Sequence, residues 1–324
     1  MLKKKKILDL AKKISYNKEV RTVEIMAALS RKNKRILRSV VGFFLVAVLL
    51  SVMVADYMGC RLPGSIGEGY APPTDKIIVR VLDVGQADCI LIEAPEGSIL
   101  IDSGLNSSES AVRSYLDGLG ISEIEYFVIS HPHSDHIGGA DMIFREYTVK
   151  NVLYDSHDGY SEYQNKMLKN SGAVIADVSS GDSFSVGELV ITVLLADYSD
   201  AEDDNDRGIV LRVDYGENSF VFTGDATADA EMKMLESIDN ELLDCDFLKA
   251  GHHGSNGSSS AEFLSALTPS IVSVSVGLGN SYGHPDREVL ARCEDVGAAV
   301  YRTDLSGDLV CECDGKTIIY IQED

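Results

Sequence analysis

Histidine is scarce in this chain, with seven in 324 residues, and basic charge is scarce once residue 38 is passed. The six cysteines (Cys60, Cys89, Cys245, Cys293, Cys311 and Cys313) follow neither a zinc-finger nor a disulfide-framework spacing. They read as small buried residues and do not identify a redox compartment. No repeat of solenoid length is present, which excludes an array architecture. Long apolar runs are absent apart from one, Ser39 to Ala55. Apolar and charged fractions of 45% and 25% are ordinary for a globular protein and exclude wholesale disorder.

What is present is unevenly placed. Three of the seven histidines lie in Ser130-His-Pro-His-Ser-Asp-His-Ile-Gly-Gly139, two are the adjacent pair His252 and His253, and one is His284. Only His157 falls outside these motifs. The first motif follows Ile124 to Ile129, an apolar run of strand length, and Pro132 favours an extended approach to it. His131, His133, Asp135 and His136 crowded together without an ion would be clustered polar groups lacking partners. Imidazole suits zinc and similar divalent ions, and a carboxylate adds charge or bridges two of them. Beside this, a polar surface loop that happens to be histidine-rich is the weaker reading.

Charge is divided just as sharply. Residues 1–38 hold 13 Lys or Arg against 3 acidic residues, which leaves 16 basic and 48 acidic residues in the remainder. The uncharged stretch 39–55, extended by Tyr57 and Met58, is at the short end of what crosses a bilayer. We read 1–38 as a basic cytoplasmic segment, amphipathic in part. Residues 39–58 read as an uncleaved transmembrane signal anchor, and 59–75 as a Gly/Pro linker. The domain 76–324 would then lie on the outer side of the plasma membrane, or be secreted if the leader is cleaved. A lipoprotein Cys60 fits poorly behind Tyr57, and a buried core helix fits poorly with the charge asymmetry.

From Lys76 onward the pattern alternates between strands and helices. Strands are expected at 77–83, 89–93, 98–102, 124–129, 151–154, 209–215, 219–223, 244–249 and 271–276, with a hairpin at 182–195. Three more close the chain at 299–303, 308–313 and 317–321. Helices are expected at 107–119, 138–146, 160–170, 229–237, 260–267 and 287–296. Asp83, Asp102 and Asp225 all stand at strand ends beside glycine, where an Asp is either a turn former or a site residue. Adjacent histidines between glycines at a strand end are hard to explain as packing, so His252 or His253 is expected to ligate.

The histidine motif resembles the signature of the metallo-β-lactamase superfamily. Over 76–324 the order of motifs is similar to the hydrolase domain of the ComEC/Rec2 competence proteins. The carrying residues are Leu82-Asp-Val-Gly-Gln-Ala-Asp88, Ile101-Asp-Ser-Gly104, Ser130 to Gly139, Phe222-Thr-Gly-Asp225, His252-His-Gly-Ser255 and Tyr282-Gly-His-Pro285. The resemblance implies an α/β fold, a four-layer αββα sandwich with its site along one edge of two sheets. It implies one or two divalent ions, zinc first and manganese as the alternative. His131 and His133 would hold one metal, Asp135 and His136 the second, and Asp225 would bridge them. His252 is the expected further ligand of the second metal, with His253 as its alternative. Asp102 and Asp83 would support the ligands from behind. The histidine that the superfamily often places before the bridging Asp is missing; Asn205 or Asp206 occupies its region, which leaves mononuclear and dinuclear sites both open. With one apolar span at most, the chain reads as a tethered relative of that hydrolase domain rather than a channel.

The expected activity is metal-dependent hydrolysis, first of a phosphodiester in nucleic acid, a small molecule or the cell envelope. Asp135 would orient the nucleophile, and His284 or the Ser255 hydroxyl would contact the phosphate or protonate the leaving group. Lys249 would lie beside the site as an ion-pair partner. The acidic body opposes a polyanionic substrate except through a local groove. Hydrolysis of a carboxylic ester, lactone or β-lactam is the second reading, and a non-catalytic surface protein binding DNA or a partner is the third.

Overall fold

The computed structural model describes residues 73–157, 159–196 and 204–321. The basic segment, the apolar run 39–58 and most of the Gly/Pro stretch fall outside these residues. No helix among the described residues is long and apolar enough to cross a membrane.

Fifteen strands form two sheets among the described residues. In the first half of the chain they are β1 (Ile77–Val81), β2 (Ile90–Ala94), β3 (Gly97–Ile101), β4 (Glu123–Val128), β5 (Thr148–Tyr154), β6 (Val174–Asp177), β7 (Ser183–Val186) and β8 (Leu189–Leu195). In the second half they are β9 (Val210–Tyr215), β10 (Asn218–Phe222), β11 (Phe247–Lys249), β12 (Ile271–Val274), β13 (Ala299–Arg302), β14 (Leu309–Cys313) and β15 (Ile318–Ile321). One sheet has the order β15-β14-β1-β2-β3-β4-β5-β6 and the other β13-β12-β11-β10-β9-β8-β7.

Their side chains explain why the sheets stack. Successive strand residues point to opposite faces, so a strand covered on both sides is apolar throughout. Ile90 and Ile92 of β2, Ile99 and Ile101 of β3, Leu211 and Val213 of β9, and Phe220 and Phe222 of β10 meet in one core between the sheets. The alternate residues Leu91 and Leu100 join an outer core with Val112 and Leu116 of helix Glu109–Gly118. On the other side Val210, Val221 and Leu248 pack against Ala230 and Met234 of helix Ala228–Ser237 and Phe263 of helix Ala261–Leu267. Three cores separate four layers, the expected αββα order. Cys311 and Cys313 both face the inner core, and every cysteine among the described residues is free and buried.

Strand β6 and the short helix Asn240–Leu243 stand where no element was expected. Val174-Ile-Ala-Asp177 is only partly buried at the sheet edge, so it carries no apolar run to betray it. The single helix expected over 138–146 begins instead at Ala140, after a separate turn of helix Ser134–Ile137.

The parallel pairs β3-β4 and β10-β11-β12 set the site. Their carboxyl ends lie along one edge of the sandwich, and the loops beyond them carry Asp102, the histidine motif, Asp225, the histidine pair and the segment 275–286.

Candidate metal centre

The histidine motif changes conformation within six residues. His131 lies three residues past the end of β4, His133 (φ −65°, ψ 148°) caps the turn Ser134–Ile137, and Asp135 and His136 sit on that turn. The turn is tied down by Ser103, whose N–H and Oγ–H both donate to the His136 carbonyl (2.7 and 3.0 Å). Gly138 and Gly139 are required here: a Cβ on either would overlap the carbonyl oxygen of Ser134 or Ser103.

Asp102 lies behind the histidine motif and holds it by hydrogen bonds. It is buried at the end of β3 with φ 58°, a conformation that costs an aspartate on the order of 1–3 kcal/mol and is held by its contacts. Its carboxylate accepts from Ser130 N (2.8 Å), Ser130 Oγ (2.7 Å) and His136 Nδ1 (2.8 Å). That last bond fixes the proton on Nδ1 and leaves His136 Nε2 to face the site. His131 is placed similarly: its Nδ1 lies 3.1 Å from Ser130 Oγ, and its Nε2 lies 3.0 Å from His133 Nδ1.

Asp225 follows Gly224, whose φ of +51° and close approach to Ser130 suit glycine. Its Oδ1 lies 3.3 Å from His136 Nε2 and 3.6 Å from His253 Nε2. Asp135 Oδ2 is 3.4 Å from His253 Nε2 and 4.0 Å from His136 Nε2. Asp135, His136, Asp225 and His253 thus offer four ligand atoms within 4.8 Å of one another. His136 Nε2, Asp225 Oδ1 and His253 Nε2 are buried and make no hydrogen bond of sound geometry. Buried polar atoms left unpaired are costly, and these three aim at a common centre. The donor set fits a divalent ion.

Charge supports the fit. Burial lowers His136, but Asp225 and Asp102 outweigh it and hold the imidazole well above its ordinary range. Burial likewise opposes protonation of His253, and the charges of Asp225 and Asp88 prevail. Burial raises Asp135, yet contact with His253 and the charge of His136 bring it down to about 2. Asp225 is held low against its burial by His136 and His253. Two imidazoles whose positive form is favoured therefore face two carboxylates, and a divalent ion would supply positive charge at the same place. Burial and the His136 charge push His131 well below its ordinary value, leaving a neutral imidazole suited to ligation.

Several expected roles change hands. Of the two adjacent histidines it is His253, the alternative to the favoured His252, that the fold groups with Asp135, His136 and Asp225. The pair occupies consecutive left-handed conformations (φ 48° and 54°), which turns the two rings apart. His253 Nδ1 donates to the buried carbonyl of Ser275 (2.9 Å), aiming Nε2 inward. His252 is partly exposed, with its Nε2 3.7 Å from the other oxygen of Asp225. Asp83 is exposed; it accepts from Gly85 N–H and is a surface turn former. The carboxylate of its loop that is buried behind the centre is Asp88, five residues on, whose Oδ1 lies 3.5 Å from His253 Nδ1. Asp88 pairs with Lys249, confirming that lysine as an ion-pair partner. The Ser255 hydroxyl accepts from Gly257 N–H (3.4 Å) and belongs to a turn; it does not line the site pocket. His284 does line it, and burial together with the His252 charge lowers its pKa.

Asn205 and Asp206 separate. Asn205 lines the pocket, as His133 does, whereas Asp206 is buried and accepts from Thr227 N and Oγ1 (2.8 and 2.9 Å). Two features had no prior reading. Gln164 of helix Glu162–Asn170 donates from Nε2 to the Pro132 carbonyl (2.7 Å), tying that helix to the metal loop. Asn280 braces the loop that carries His284; its place four residues before that histidine, between glycines, was the available signal.

A two-sheet αββα sandwich with histidines and carboxylates converging at one edge defines a metal-dependent hydrolase fold. The metallo-beta-lactamase superfamily model matches residues 82–276, and the chain belongs to that superfamily. It is 29% identical to ComE operon protein 3 of Bacillus subtilis over 71% of this chain and 32% of that protein. It is 30% identical to Recombination protein 2 of Haemophilus influenzae over 71% of this chain and 28% of that protein. The chain thus spans about a third of the length of these relatives. Among solved structures, the metallo-beta-lactamase fold protein YhfI of Bacillus subtilis superposes with a TM-score of 0.52 at 16% identity, covering 74% of this chain and 100% of that one.

Proposed function

We propose that this metal-dependent hydrolase cleaves phosphodiesters. The observation that carries this reading is the donor set itself: two carboxylates and two imidazoles, with His131 and His133 alongside and an amide, Asn205, lining the same pocket as His133. Mixed imidazole–carboxylate sites suit zinc, and the two carboxylates admit manganese as well; either ion stabilises charge on phosphoryl oxygens. The similarity to proteins named for competence and recombination agrees with a nucleic-acid substrate.

A divalent ion in this site supplies Lewis acidity and makes water acidic enough to act as a nucleophile near neutral pH. The chain supplies orientation. Asp135 is ionised and faces the pocket, where it orients the attacking water. Asp102 fixes the His136 tautomer and Ser275 fixes that of His253, so neither ring reorganises. His284, kept neutral, has one ring N–H for a substrate oxygen.

The test is hydrolysis of bis-p-nitrophenyl phosphate and of single-stranded DNA by metal-stripped protein resupplied with Zn²⁺ or Mn²⁺. Turnover that needs metal and is lost in Asp135→Ala and His136→Ala supports the reading. Turnover of nitrocefin or simple esters alone would replace it with carboxylic ester, lactone or β-lactam hydrolysis. Metal-independent retention of DNA without turnover would replace it with a binding role. The basic leader ahead of an uncharged run supports a single span at 39–58 with the hydrolase domain outside the membrane, which protease added to intact cells tests.

A further inference from the structure

We propose that Tyr282 is a stacking ledge for a nucleobase, so that the substrate is a base-bearing phosphodiester engaged at the nucleotide next to the scissile linkage. This deepens the phosphodiesterase reading and rests on it.

The pocket over the metal centre has a volume of about 220 Å³, below the about 300 Å³ at which pockets for drug-sized ligands begin. It accepts a phosphodiester group and leaves the attached base outside. At the rim stands Tyr282, which lines the pocket yet is 71% exposed. Its ring lies nearly parallel to that of His284, with centroids 5.8 Å apart and an interplanar angle of 17°. One face of Tyr282 is therefore backed by a residue inside the site, and the exposed ring remains available to an incoming one.

An exposed aromatic is ordinarily free to move, but this loop is braced. Asn280 Oδ1 accepts from Tyr282 N and His284 N, both at 3.1 Å. Asn280 Nδ2 donates to the carbonyls of His284 (2.7 Å) and Gly277 (3.1 Å). Gly277 N–H in turn donates to Gln86 Oε1 (3.2 Å), on the opposite sheet. The ledge is built before substrate arrives, which lowers the ordering cost of binding.

Charge gives the second argument. Beyond residue 38 the chain carries 48 acidic against 16 basic residues, so a nucleic acid gains little from phosphate contacts. Affinity must come from the centre and from interactions indifferent to charge, and base–aromatic stacking is one.

The experiment is a fluorescence titration of the zinc-loaded full chain with a single-stranded DNA tetranucleotide that contains 2-aminopurine and hydrolysis-resistant methylenephosphonate linkages, so that no turnover occurs. Wild type and Tyr282→Phe are expected to quench the fluorophore, with an affinity that barely changes with salt. Tyr282→Ala is expected to bind about tenfold or more weakly, with the quench lost. An abasic tetranucleotide should bind wild type and Tyr282→Ala alike. Equal quenching and affinity in Tyr282→Ala and wild type would overturn the ledge. Wild-type hydrolysis of bis-p-nitrophenyl phosphate, run in parallel, separates the two claims. Turnover with no effect of Tyr282→Ala removes only the ledge; Tyr282-dependent quenching without turnover of any phosphodiester removes the activity and leaves base binding standing.

Discussion

Lys249 Nζ lies 2.8 Å from Asp88 Oδ2, and both side chains are buried, one from each sheet. Lys249 ends β11 on the face that carries Phe247 into the inner core, and its ammonium also donates to the Ala250 carbonyl (2.8 Å). The other Asp88 oxygen faces His253 Nδ1 at 3.5 Å. A buried ion pair thus closes the inter-sheet core directly behind a metal-facing histidine.

Breaking that pair from one side should cost more than removing it whole. A buried charge left without its partner costs about 3–5 kcal/mol, whereas replacing both charges with apolar groups is often neutral. Lys249→Met and Asp88→Asn should each lower denaturant stability by about that amount. The double variant Asp88→Leu/Lys249→Met should be more stable than either single change. Urea unfolding of the metal-free protein checks it; strict additivity would contradict the pairing.

The two adjacent histidines should behave differently toward metal. His253→Ala removes one of four converging ligands and is expected to lose the tightly held ion. His252→Ala should retain it. Asp102→Asn disturbs the His136 tautomer without removing a ligand and should weaken affinity about 10- to 100-fold. Metal content after dialysis against graded chelator reads all three. Equal retention by His253→Ala and wild type would assign the ligand to the wrong ring.

Glu231, on helix Ala228–Ser237, gives a pH signature remote from the metal. Burial raises its carboxyl to about 7, although the Ser260 and Ser259 amides (2.8 and 2.5 Å) pull it down in part. A carboxyl raised on folding favours the folded state below its unfolded value near 4.5, and that contribution is lost as pH rises through about 7. The loss amounts to at most about 3 kcal/mol. Thermal melts of wild type and Glu231→Gln at pH 5 to 8 should differ in slope across this window. Parallel curves would place the carboxyl at an ordinary pKa.

The alternation of apolar residues made most strands legible, because a strand buried on both faces must be apolar along its whole length. Strand β6 was not legible, since a short, half-exposed edge needs no such pattern. The histidine motif was legible because clustered imidazoles and carboxylates have few uses without an ion.

Sequence alone determined the order of strands and helices and the residues that could hold a metal, because these follow from local pattern and residue chemistry, and its motifs carried the resemblance that implied the superfamily and its two sheets. Tertiary structure decided which of those residues are brought together. It chose His253 over His252 through two left-handed residues and the Ser275 carbonyl, and Asp88 over Asp83 through burial. It set Asn205 in the pocket and Asp206 against Thr227. Those choices depend on where a ring or carboxylate points once two sheets have stacked, and spacing along the chain does not encode that direction.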